Sequence, residues 1–123
     1  MKQYRRADRV AEEMRRLLAE AWEEEYAVGN PGMLTFTQVR LSSDLRYAKA
    51  YWSYLGTPEH KESTEAFLER ESRNLRRMVG KHLHLRHIPE LSFKFDPSVE
   101  EGMRIEQLLN EIKTEPKDES DSE

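Results

Sequence analysis

The sequence predicts an α+β fold: one domain of helices laid on a small sheet. Three observations carry that prediction. Apolar residues recur at helical spacing from Val10 to Trp22. Two strand-like runs, Met33 to Leu41 and Arg46 to Tyr54, flank the turn-forming Ser42-Ser43-Asp44. Helical and extended segments then follow each other to about residue 112, and 123 residues favour a single domain.

Asp8 is placed to cap the first helix. Val10, Met14, Leu17, Leu18, Ala21 and Trp22 make its apolar face, and Arg9, Glu12, Glu13, Arg16, Glu20 and Glu23 fill the others. Gly29-Asn30-Pro31-Gly32 stops it. Thr35, Phe36, Thr37 and Val39 favour the extended backbone of a first strand. In the second, Ala48, Ala50, Trp52 and Tyr54 point one way, and Tyr47, Lys49, Tyr51 and Ser53 the other. The short link makes the pair an antiparallel hairpin.

Gly56-Thr57-Pro58 opens the next helical region, with Thr57 as cap and Pro58 in the first turn. Phe67, Leu68, Leu75, Met78, Val79 and Leu83 form its apolar face. One uninterrupted helix would place Glu71 and His82 in that face, and burying an unpaired carboxylate is costly. A break between Glu71 and Asn74 relieves this, giving two helices, roughly 60–71 and 74–84. Leu91, Phe93 and Phe95 alternate with Ser92 and Lys94 in a third strand. Ser98-Val99-Glu100-Glu101 reads as a capping box opening a last helix, whose apolar face is Met103, Ile105, Leu108, Leu109 and Ile112. The domain is expected over 1–113, with 114–123 a disordered acidic tail.

Charge is segregated along this frame. The chain carries 20 Lys and Arg against 24 Asp and Glu, and the acids concentrate beyond Ser98. Between Arg70 and Arg86 lie Arg70, Arg73, Arg76, Arg77, Lys81 and Arg86, opposed by Glu71. Such a block in a mildly acidic chain suggests a docking site for a polyanion, with RNA the first candidate. On a helical wheel Arg70, Arg73, Arg77 and Lys81 share one stripe opposite the apolar face, able to track a phosphate backbone. An ordinary solvated face would also be charged, but Glu at four-residue offsets would then be expected. On the second strand, Tyr47, Lys49 and Tyr51 face outward, where aromatics beside a base can stack on nucleobases; strand propensity alone also accounts for the tyrosines.

Other chemistry finds little support. With no cysteine there are no disulfides or thiolate metal sites, and a reducing cytosol is the natural setting. Neither a signal-peptide-like apolar stretch nor a membrane span is seen, so a cytoplasmic protein is expected. His82, His84 and His87 are loosely spaced without a completing acidic cluster, and read better as additions to the basic patch than as zinc ligands. Ser42, Ser43 and Asp44 are explained by the turn, and Glu23-Glu24-Glu25 by a charged helix end. No catalytic residues, metal or cofactor are expected.

Several segments resemble the ribosome-binding factor A family, whose fold is of the type II KH class. They are Arg9-Val10-Ala11-Glu12-Glu13-Met14, Asp44-Leu45-Arg46-Tyr47-Ala48-Lys49-Ala50-Tyr51, Leu85-Arg86-His87-Ile88-Pro89-Glu90-Leu91-Ser92-Phe93, and Asp96-Pro97-Ser98 leading to Glu101-Gly102-Met103-Arg104-Ile105. Together they cover about residues 5–112 in consistent order. Arg76 and Gly80-Lys81 also match the family pattern. The family has an Ala-x-Gly kink between its central helices, where this chain has Glu71-Ser72-Arg73. The resemblance implies a non-catalytic, bacterial maturation factor that binds the immature small ribosomal subunit and assists late RNA folding and processing. RNA-binding residues are then expected among Arg70, Arg73, Arg76, Arg77, Lys81, Arg86 and Lys49, in a monomer with no membrane partner. The alternative is an adaptor whose basic helix meets an acidic ribosomal or regulatory protein.

Overall fold

The structure is a computed structural model; it describes the backbone of residues 6–122 and the side chains of residues 6–112. In chain order it contains α1 (Arg6–Glu25), a 3-10 turn (Ala27–Gly29), β1 (Met33–Leu41), β2 (Tyr47–Leu55), α2 (Pro58–Arg70), α3 (Ser72–Gly80), β3 (Glu90–Phe95) and α4 (Ser98–Ser122). The sheet has three strands in the order β1-β2-β3, with β1 antiparallel and β3 parallel to β2. This is the expected α+β, type II KH-like arrangement.

The alternation read from β2 decides which face is buried, except at Ser53, which was expected outward and is buried. Ala48, Ala50, Trp52 and Tyr54 are buried beside Leu34, Phe36 and Val39 of β1. Against them lie Met14, Leu17, Leu18, Ala21 and Trp22 of α1, Leu68 of α2, and Leu75 and Val79 of α3. The hairpin turn is tied by side chains: Ser42 Oγ donates to Asp44 Oδ1 at 2.7 Å and accepts from the Tyr47 amide at 3.0 Å. The turn also takes Leu45 to a φ of 62°, a left-handed conformation that branched apolar residues seldom adopt. After α1, Asn30 organises the Gly-Asn-Pro-Gly turn. It accepts from the Tyr54 hydroxyl and the Gly32 amide and donates to buried Thr64 on α2 at 2.9 Å.

Thr57 caps α2, its hydroxyl accepting from the His60 amide at 3.1 Å. The expected break falls on Glu71 itself (φ −96°, ψ 9°), the residue between α2 and α3. Its carboxylate accepts from the Tyr26 hydroxyl at 3.1 Å and Asn74 Nδ2 at 2.8 Å, so the acid is paired where a continuous helix would have buried it. The Asn74 bond, aided by Tyr26, holds the Glu71 carboxyl below its ordinary pKa. Burial, with the bond to Glu71, raises the Tyr26 phenol.

Some elements differ from the sequence reading. Asp8 lies within the first turn of α1 rather than ahead of it. The strand β2 runs one residue later than expected, and α3 ends at Gly80, followed by a tight turn in which the Leu83 amide reaches the Gly80 carbonyl. At α4 the capping side chain is Asp96, not Ser98: its Oδ1 accepts from the Ser98 amide at 3.0 Å, and Oδ2 from Thr37 Oγ1 at 2.7 Å. These bonds, Thr37 first, lower the Asp96 pKa. Met103, Ile105, Leu108, Leu109 and Ile112 are not core residues; each is 50–61% exposed. Most of the expected tail, 114–122, has side chains outside the described residues, as does all of Glu123.

A candidate polyanion-binding cleft

Where α3 passes the start of β3, the two elements leave a cleft of about 1000 Å³. Its helical wall is Arg73, Asn74, Arg76, Arg77 and Lys81; its floor is Ala48, Leu91, Gly80 and Ile88; its far lip is Tyr47, Glu90 and Ser92. Gly80 matters at this close approach: a Cβ there would sit 3.0 Å from Ile88 side-chain atoms. The arrangement offers an apolar floor to a flat ring and a cationic wall to phosphates.

The cationic side chains divide into distinct roles. Arg73, Arg77 and Lys81 are exposed on the wall. Arg77 Nη2 donates to Asn74 Oδ1 at 2.7 Å, which orders its guanidinium while leaving other N–H groups free. Arg76 is half-buried and faces the chain itself: Nε donates to the Pro89 carbonyl at 2.8 Å and Nη2 to the Ile88 carbonyl at 2.6 Å. It pins the 86–89 segment that forms one end of the cleft. Arg70 does not join the wall. The break at Glu71 turns it to another hollow beside Trp22, Tyr26 and Asn30, where its guanidinium carbon lies 5.4 Å from the Phe67 ring centre.

Arg86 opens a second, adjoining groove of about 440 Å³ that shares Arg76, Ile88, Tyr47 and Glu90 with the first. Arg6 and Arg46 also line it. Sequence reasoning passed over both because they lie far from the Arg70–Arg86 block; only the topology gathers them. Lys49 is elsewhere, exposed on the outward face of β2. His82, His84 and His87 are exposed, and no group of acids and histidines able to hold a metal occurs among the described residues. No described helix is long and apolar enough to cross a membrane.

Parallel pairing of β3 onto β2, with α2 and α3 broken over one sheet face, defines a type II KH-like domain bearing a cationic cleft. The chain belongs to the ribosome-binding factor A family, whose family model matches residues 6–109. It is 40% identical over 112 residues to ribosome-binding factor A of Geobacter metallireducens, covering 91% of this chain and 95% of that one. The crystal structure of ribosome-binding factor A from Thermus thermophilus aligns with a TM-score of 0.60 at 26% identity, over 72% of this chain and 93% of that one. A Thermus thermophilus homology model fitted into the map of a 30S complex aligns at 0.62, with 23% identity, over 74% and 96%. That last likeness concerns the fold.

Proposed function

We propose that this protein binds ribosomal RNA in the immature small ribosomal subunit through the α3 cleft and assists late assembly and processing of that RNA. The observation that carries the reading is the cleft itself. Arg73, Arg77 and Lys81 line one wall without acidic partners within 4 Å among the described residues, in a chain whose family is named for ribosome binding. The small subunit is the partner named for the Thermus thermophilus relative. Exposed cations facing an apolar floor suit single-stranded or looped RNA, whose bases are free to leave the stack. The protein acts as a cytoplasmic, non-catalytic monomer, with Arg86, Arg6 and Arg46 extending the contact along the second groove.

The test pairs a depletion with a variant. Cells lacking the protein should accumulate small subunits with unprocessed RNA, and wild-type protein should restore maturation. A folded Arg73→Gln/Arg77→Gln protein should fail to do so. Full rescue by that variant would refute the cleft as the working surface.

A further inference from the structure

The helices cover one face of the sheet; on the other, Tyr47 and Lys49 of β2 are exposed and Tyr51 is half-buried, while Ser53 at the far end is buried. On the open face the register sets side chains in rows. Arg40 of β1 stands directly opposite Lys49 of β2, which is opposite Ser92 of β3; Gln38, Tyr51 and Lys94 make the next row. Glu90 is the one acid among the strand positions of this face, and Asp96, the residue after β3, sits at its far end, where it accepts from Thr37 of β1. Arg40, Lys49 and Lys94 have no acid within 4 Å among the described residues. The Arg40 guanidinium carbon lies 5.9 Å from the Tyr51 ring centre, and Tyr47 is 59% exposed.

Like charges directly opposite in a sheet repel, and no acid is interposed to relieve Arg40 and Lys49. A bound polyanion would remove that repulsion. The face is also continuous with the cleft, because Tyr47 and Ser92 belong to both. Lys49 lies two residues along β2 from Tyr47, roughly 7 Å.

We propose that the open sheet face is a second nucleic-acid surface, onto which single-stranded RNA leaving the α3 cleft runs past Tyr47. Lys49, Lys94 and Arg40 meet its phosphates, and Tyr51 and Tyr47 offer rings to its bases. The inference rests on the RNA-binding reading of the cleft and deepens it by setting the length and path of the bound strand.

Oligonucleotide length separates the two surfaces. The full chain is titrated with a single-stranded RNA of about four nucleotides, enough to fill one cleft, and one of about twelve, at several salt concentrations. A Lys49→Gln/Lys94→Gln pair should leave affinity for the short RNA unchanged. It should weaken the long one about 25-fold near 0.1 M salt and lower its salt slope by about 1.4, for two lost phosphate contacts. Tyr51→Leu should cost the long RNA about tenfold with an unchanged slope, and Tyr51→Phe should restore it. Lys49→Glu supplies a readout independent of RNA. It should bind the long RNA poorly yet melt a degree or two higher at low salt, because Arg40 gains an opposite charge. Equal long-RNA affinity in wild type and a folded Lys49→Gln/Lys94→Gln variant overturns this inference. If Arg73→Gln/Arg77→Gln weakens both RNAs in that case, the cleft reading stands alone. Wild-type protein that binds neither RNA overturns both.

Discussion

Arg76 offers the sharpest distinction between a side chain that binds a partner and one that holds the cleft in shape. Its Nε and Nη2 donate at 2.8 and 2.6 Å to the carbonyls of Pro89 and Ile88, in a half-buried setting. A hydrogen bond from a charged donor contributes about 1.5–3 kcal/mol; partial solvation puts each of these at the low end, so Arg76→Gln should cost about 3 kcal/mol. For a domain of this size that corresponds to a melting temperature roughly 10 °C lower. Arg76→Lys keeps the charge but cannot reach two carbonyls with a planar fork, and should recover about half of the loss. Thermal unfolding followed by circular dichroism reads both variants against Arg73→Gln/Arg77→Gln, whose exposed positions should stay within about 0.5 kcal/mol of wild type. A loss below about 1 kcal/mol in Arg76→Gln would refute the pinning role and return Arg76 to the set of free cations.

Further outcomes follow from other parts of the fold. Arg73→Gln/Arg77→Gln should weaken binding to the immature small subunit and reduce the salt slope by roughly 0.7 per lost phosphate contact, measured by titration at several salt concentrations. Removing the cap in Asp96→Ala should cost about 1 kcal/mol in denaturant unfolding. Because the Asp96 and Glu71 carboxyls are held below their ordinary values, their contribution is complete above the ordinary carboxylate range and is lost as pH falls through the lowered values. Asp96→Asn should therefore flatten the acid limb of a stability–pH curve, and an unchanged limb would contradict the assignment. We further propose that residues beyond Thr114 are dispensable for folding: the stretch is polar and acidic, so truncation there should leave the melting temperature nearly unchanged.

What the sequence disclosed and what it hid divide along physical lines. The hairpin was legible because a period of two, once read from Ala48 to Tyr54, fixes the apolar residues that are buried, although Ser53, read as outward, is buried between Trp52 and Tyr54. The break at Glu71 was legible because an unpaired carboxylate cannot occupy an apolar face. The consequence for Arg70 was not: a helical wheel assumes a straight axis, and the break separates Arg70 from Arg73, Arg77 and Lys81. The bonds of Arg76 end on carbonyls of a distant loop, which no pattern of side chains encodes. Arg6 and Arg46 meet Arg86 only through the fold. Pro97 hid the cap of α4, since the acid that reaches the Ser98 amide stands on its far side. Periodicity found the apolar stripe of α4 but cannot tell a buried stripe from one left exposed.

Sedimentation of tagged protein from cell extract through a sucrose gradient tests the central claim most directly. The wild-type chain should travel with free small subunits and not with translating ribosomes. The folded Arg73→Gln/Arg77→Gln variant should shift toward the top of the gradient, and more so as salt is raised. Wild-type protein found mainly with polysomes or only in the soluble top fraction, or a variant that sediments as wild type does, would contradict the account.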